Sequence, residues 1–182
     1  MSTPRRFLRF ASTVISCAGL AALVYVAVVV GQTMAATSVV PKPIDGRRPF
    51  VAGETLGQLR IERLGLKAAI AEGERASVLR RGVGHLHDSA WIGQGGNVAL
   101  AGHRDTVFRS LRKIQAGDVI EIATAERSVR YRVDKTSVVS PGDLSVLKSS
   151  GGSTLTLITC YPFSYFGSAP DRFIVRAREI NP

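Results

Sequence analysis

From about residue 57 onward the apolar positions fall in short runs between turn-forming residues, not in the long three- and four-spaced stripes of helices. Runs rich in Val, Ile and Leu cover 59–61, 68–71, 97–101, 119–122, 129–133, 155–159 and 173–177. Each has the length and flanking residues of a strand. Val129, Tyr131 and Val133 alternate with Arg130, Arg132 and Asp134, the period of a strand with one buried and one wet face. Only 74–81, 108–114 and 143–148 read as short helices, the last with Pro141 just ahead and Asp143 placed as its N-cap. Residues 82–88, Gly-Val-Gly-His-Leu-His-Asp, read as a turn-rich loop. Seven or eight short strands in about 120 residues predict a mostly β domain, a closed barrel or a sandwich.

The N-terminal pattern is of another kind. No Asp, Glu, Lys or Arg occurs between Arg9 and Lys42, and 11–30 is almost wholly apolar. Twenty residues at the helical rise span about 30 Å, one hydrocarbon core. Arg5, Arg6 and Arg9 precede the run, which holds the N-terminus in the cytoplasm and sends the rest across the membrane. The expected organisation is a basic cytoplasmic segment (1–10), a transmembrane signal anchor (11–31), an extracytoplasmic linker (32–56) and a folded domain (57–182). Pro41, Pro43, Pro49 and the patch Asp45-Gly46-Arg47-Arg48 give the linker its extended character. Val14-Ile15-Ser16-Cys17 has the form of a lipoprotein cleavage box, but apolar sequence continues for a dozen residues beyond Cys17. The small residues around Thr33-Met34-Ala35 suit a signal peptidase, yet the uninterrupted run favours an uncleaved anchor.

Composition narrows the function. The 182 residues are 45% apolar, enough for one cored domain, and carry 24 Lys+Arg against 14 Asp+Glu, a net charge of +10. Without Arg5, Arg6 and Arg9 the part outside the membrane carries 21 Lys+Arg against 14 Asp+Glu, an excess of +7 that faces anionic headgroups or wall polymer, so nucleic acid is not the expected partner. No phosphate-cradling Gly-x-x-x-x-Gly-Lys-Ser/Thr loop is present, and two cysteines cannot build a disulfide scaffold or a four-cysteine zinc ribbon.

Those two thiols lie in different compartments, Cys17 in the expected anchor and Cys160 outside. Two readings stay open for Cys160. It is a small buried hydrophobe ending the strand 154–160, or a nucleophile aimed by a rigid strand end, with the loop 161–170 as a substrate wall. A nucleophilic thiol needs a basic neighbour. His103, in Gly102-His103-Arg104 after the strand-like 97–101, is the candidate, against the reading of a surface histidine without a role. Arg172, opening the last strand, is either a solvated charge or a fixed donor for oxyanion charge. His85, His87 and Asp88 form a partial metal-ligand set; a closed zinc site needs more, so no metal is expected. Arg104 and Arg176 receive no role in the site.

Thr156-Leu157-Ile158-Thr159-Cys160, with Gly102-His103-Arg104 upstream and Arg172-Phe173-Ile174-Val175 downstream, closely resembles the sortase family of membrane-anchored cysteine transpeptidases. Gly102-His103-Arg104-Asp105-Thr106 and Cys160-Tyr161-Pro162-Phe163 look most like class D. The resemblance implies an eight-stranded β-barrel with short helices, at a bacterial cell membrane, needing no cofactor. It implies cleavage of a Leu-Pro-x-Thr-Gly-like signal between Thr and Gly on exported proteins, and transfer of the acyl group to an amine on a peptidoglycan precursor or a pilin lysine. In that scheme Cys160 attacks, His103 handles the proton, and Arg172 with Thr159 stabilises the oxyanion. Tyr161, Pro162 and Phe163 join Thr159 as substrate-contacting candidates, and the loops 140–150 and 161–171 shield the acyl enzyme. Pilin-polymerising members often carry an Asp-Pro-aromatic lid; the linker has none, which favours anchoring of single substrates. Two other classes remain: an exported Cys-His wall peptidase, whose common families place Cys before His, and a non-catalytic barrel that binds wall polymer.

Overall fold

The computed structural model describes residues 20–25, 27–28, 51–149, 151–165 and 167–180. The chain divides into two compact units, 1–35 and 36–182. In the first, residues 20–25 and 27–28 are helical; the expected cytoplasmic segment, most of the expected anchor and the linker up to residue 50 lie outside the described residues. Among the described residues no helix is long and apolar enough to cross a membrane.

The second unit is built from eight strands: β1 (Thr55–Ile61), β2 (Leu66–Glu72), β3 (Val83–His85), β4 (Gly96–Ala101), β5 (Val119–Ala123), β6 (Ser128–Val139), β7 (Ser153–Tyr161) and β8 (Asp171–Glu179). They close into a barrel in the order β1-β2-β3-β4-β7-β8-β6-β5, with β5 returning to β1. All seven expected strand segments lie in strands, most of them longer than their apolar runs. The sequence signal marks only where side chains are buried, whereas backbone pairing continues past them; β6 runs to Val139 although its last residues are exposed.

The eighth strand corrects the reading of 82–88. Val83, Gly84 and His85 form β3, parallel to β2 and antiparallel to β4. Three residues with a glycine at their centre and another just before them carry no period to detect, and pairing on both edges supplies what propensity does not. The three short helices fall where expected, the first an α-turn α1 (Ala76–Leu79), the others 3-10 turns at Arg109–Lys113 and Leu144–Leu147. Asp143 caps the last, accepting from the Ser145 N–H at 2.9 Å.

The barrel interior is dry. Leu59, Ile70, Leu100, Ile120, Ile122, Tyr131, Leu155, Leu157 and Val175 are all fully buried. One charged pair fastens the outside: Arg63 grips the buried Asp118 through Nε and Nη2 at 2.5 and 2.6 Å, and Asp118 also accepts from the Gln115 N–H. The hydrogen bond from Arg63, above all, lowers the pKa of Asp118, with the Gln115 amide and the charge of Arg63 adding to it. A carboxylate whose folded pKa is depressed adds stability that is complete above its unfolded value and is lost as pH falls through the folded one. Thermal melts of the wild type should therefore show an extra fall in midpoint below about pH 4. Asp118→Asn should melt lower at pH 6 and lack that component; parallel pH curves would refute the assignment.

Candidate active site

Three strands bring the candidate residues together. β7 and β8 are antiparallel, and in their register Cys160 lies directly opposite Arg172. Opposed residues in such a ladder have Cα atoms about 4.5–5.5 Å apart and side chains on one face. β4 runs parallel to β7, with Ala101 beside Ile158. One step on, the Gly102 N–H donates to the Ile158 carbonyl at 3.1 Å and the Thr159 hydroxyl donates to the Gly102 carbonyl at 2.7 Å. His103 thus stands two residues past the Ala101–Ile158 pair, as Cys160 does, at the same end of the sheet. Gly102 has to be glycine: a Cβ there would come within 2.7 Å of the Phe108 ring.

Strand alternation separates two faces. Leu155, Leu157 and Thr159 point into the barrel, and Thr156, Ile158 and Cys160 outward. Thr159 is therefore buried and its hydroxyl is committed to Gly102, so it braces β4 against β7. Cys160 is a free thiol, half-buried. The Arg172 guanidinium donates through Nη1 to the carbonyls of Asp171 (2.9 Å) and Ala169 (3.4 Å), and its Nε and Nη2 have no partner among the described residues. Those donors remain available to developing negative charge. Tyr161 and Phe163 pack against Phe173 and against each other, with ring centroids 5.2 to 6.2 Å apart, and Pro162 follows Tyr161 through a cis peptide.

The outward face continues away from Cys160 as a polar lattice that the sequence reading missed. Asn97 Nδ2 donates to the carbonyls of Val146 (3.2 Å) and Leu147 (3.1 Å), and its Oδ1 accepts from the hydroxyls of Thr154 (3.1 Å) and Thr156 (2.7 Å). Every donor and acceptor of that amide is used. Arg176 reaches the Val146 carbonyl, the Thr156 hydroxyl and the Lys148 carbonyl. Together they pin the segment 144–148 across the strands as one wall above the outward face.

Arg104 corrects a second expectation. Only 7% exposed, it donates through Nη1 to the Pro162 carbonyl (3.0 Å) and through Nη2 to those of Tyr165 (2.7 Å) and Gly167 (3.2 Å). It ties the segment leaving His103 to the segment leaving Cys160. A guanidinium is rarely buried without partners, but sequence cannot say that backbone carbonyls sixty residues away will supply them. Arg104→Ala and Arg176→Ala should therefore not be mild. Each strands several carbonyls, and Arg104→Ala should cost about 2–3 kcal/mol. Lower melting midpoints, with faster proteolysis in 162–167 and 144–148 respectively, are the expected readouts.

His85 lies apart from this cluster. Its Nδ1 meets Glu72 at 2.7 Å, and its Nε2 meets the Ala90 carbonyl at 3.0 Å and the Ser89 hydroxyl at 3.2 Å. Ser89 in turn donates to the Leu86 carbonyl, so both ring nitrogens of His85 are engaged by protein groups. His87 meets the other oxygen of Glu72 at 3.1 Å. The two imidazoles do share a face, around Glu72 and not Asp88. Stacking of His85 on Trp91 at 5.1 Å completes a buried clasp between β2 and β3.

A barrel that sets Cys, His and Arg on three neighbouring strand ends is distinctive enough to compare with known proteins. Residues 59–180 match the Sortase domain family. The chain belongs to the sortase family. Sortase D of Bacillus subtilis (strain 168) is 36% identical over 129 residues, 70% of this chain and 65% of that protein. The chain thus spans just under two thirds of that relative's length. The solved structure of a Clostridium perfringens sortase D5 transpeptidase is 34% identical, with a TM-score of 0.66, covering 73% of this chain and 83% of that one. Sortase E1 of Streptomyces coelicolor, solved with a tripeptide in its active site, is 30% identical, with a TM-score of 0.64, covering 70% and 88%. The matched range 59–180 includes His103, Arg104, Thr159, Cys160, Tyr161, Pro162, Phe163 and Arg172.

Proposed function

We infer that this sortase is a membrane-anchored cysteine transpeptidase that cuts a Leu-Pro-x-Thr-Gly-like signal between Thr and Gly and passes the acyl group to an amine, attaching exported proteins to the cell envelope. The observation that carries this is the Cys160–Arg172 pairing on β7 and β8 with His103 at the adjoining end of β4. The Cys160 thiol gives its proton to His103 as its sulfur attacks the threonine carbonyl, and the oxyanion is met by the Arg172 donors that have no partner among the described residues. Collapse of that intermediate expels the glycine amine, to which His103 gives a proton, leaving a thioester. An acceptor amine then attacks the thioester, loses its proton to His103 and regenerates the thiol. No hydrogen bond joins the His103 and Cys160 side chains among the described residues, an arrangement that tightens once substrate is bound. The acyl donor lies over the outward face of β4, β7 and β8, against the wall at 144–148.

Full-length protein in detergent, given a sorting peptide and a small amine, should yield the amide joining the two, read by mass. Hydrolysis without any amide would indicate a wall peptidase, and no cleavage would indicate a binding barrel. The anchor is tested separately. Untruncated chain should sediment with membrane and expose its C-terminal domain outside, and recovery from the soluble cytosol would refute this.

A further inference from the structure

The 3-10 turn after His103 carries an arrangement that the reaction scheme above does not use. Three residues per turn bring positions i and i+3 into line. Phe108 and Leu111, fully buried, take the inward line, which forces Arg109 and Arg112 onto one outward line about a turn apart. Both are exposed, and no hydrogen bond or ion pair engages either guanidinium among the described residues. Stacked like charges without a counter-ion repel one another.

The pair forms the ridge between two cavities. One, of about 590 Å³, is walled by Arg104 and Asp105 on one side and by Phe163, Tyr165 and Gly167 on the other. The other, of about 640 Å³, lies against the β1–β2 turn and adds Lys67 and Lys113. The single acidic side chain in either lining, Asp105, sits 3.4 Å from Arg104. The first cavity lies between the segment leaving His103 and the segment leaving Cys160, and the Arg104 clamp fixes those two walls relative to each other.

We propose that this basic cavity binds an anionic group carried by the acceptor amine, so that the enzyme selects amines bearing a carboxylate within a few bonds. The inference rests on the transpeptidase reading, because it assigns the cavity to the second substrate. Direction supports the assignment. On the proposed reading the acyl donor occupies the strand face toward the 144–148 wall, which leaves to the acceptor the side where Arg104 and Asp105, the two residues after His103, line the cavity. Guanidinium pairs hold carboxylates through charge-assisted bonds, and a positive cleft raises the local concentration of an anionic amine.

Glycylglycine and glycylglycinamide differ at the carboxylate and serve as probes. With full-length protein, kcat/KM for the amine should favour glycylglycine about tenfold, the worth of one charge-assisted contact. The preference should shrink in 0.5 M salt and disappear in Arg109→Gln/Arg112→Gln, which keeps side-chain bulk. Arg130→Glu, an exposed charge on β6, should leave the preference intact. Binding to the full-length Cys160→Ala chain, followed by chemical shift, gives the same comparison without turnover. Equal use and equal binding of the two dipeptides would overturn the proposal while leaving the transpeptidase reading standing. Loss of amide product with both amines, alongside selective binding of glycylglycine, would overturn the reading of the reaction and keep the anion site.

Discussion

Cys160→Ala is expected to abolish amide formation entirely while the protein melts at nearly the wild-type temperature. The thiol ends β7 half-buried on the outward face, with Leu157 and Thr159 carrying the inward packing. Exchanging sulfur for hydrogen opens little cavity there, so the stability cost stays small. The chemical cost is total, since no other side chain of the site can form the thioester. A thiol-alkylating reagent should do the same by mass-detectable addition at Cys160, and Cys17→Ala should leave turnover unchanged. Residual amide product from Cys160→Ala protein would remove the thiol from the mechanism.

The second large effect separates the two charged partners. His103→Ala takes away the proton donor and acceptor, a loss of about 10²–10⁴-fold in rate, and should flatten one limb of the pH profile. Arg172→Lys keeps a positive charge but exchanges a planar fork for a point charge. Arg172 stands opposite Cys160, with Nε and Nη2 unengaged among the described residues, so loss of that fork should lower kcat by about 10²–10³-fold with little change in the pH profile. Equal activity of the lysine variant would reduce Arg172 to a source of potential. Arg104 and Arg176 make poor reference substitutions, because each carries a loop. Arg130, exposed on β6, is the better control.

Much of the barrel could be read from Val, Ile and Leu runs because strand pairing in a closed sheet buries one face of each strand, and burial leaves a period of two in the sequence. The site could be read for a different reason: a thiol at a strand end, a glycine-flanked histidine and a strand-opening arginine are local signals, and Thr-Leu-Ile-Thr-Cys is a local string. β3 escaped because three residues with a glycine at their centre hold no period; its place is set by β2 and β4.

Sequence alone carried the class of the fold, the candidate reactive side chains and their order along the chain. What only the tertiary structure decided was which groups those side chains meet. The register of β7 against β8 places Arg172 across from Cys160. The parallel pairing of β4 with β7 brings His103 to the same edge. Long-range backbone carbonyls turn Arg104 and Arg176 from surface charges into the ties that hold two loops. The physical reason is that hydrogen bonds between residues fifty or sixty positions apart depend on backbone groups, and every residue carries those alike. Composition and spacing cannot distinguish one carbonyl from another; only the folded register, in which β4, β7 and β8 lie side by side, selects the ones that Arg104, Asn97 and Arg176 receive.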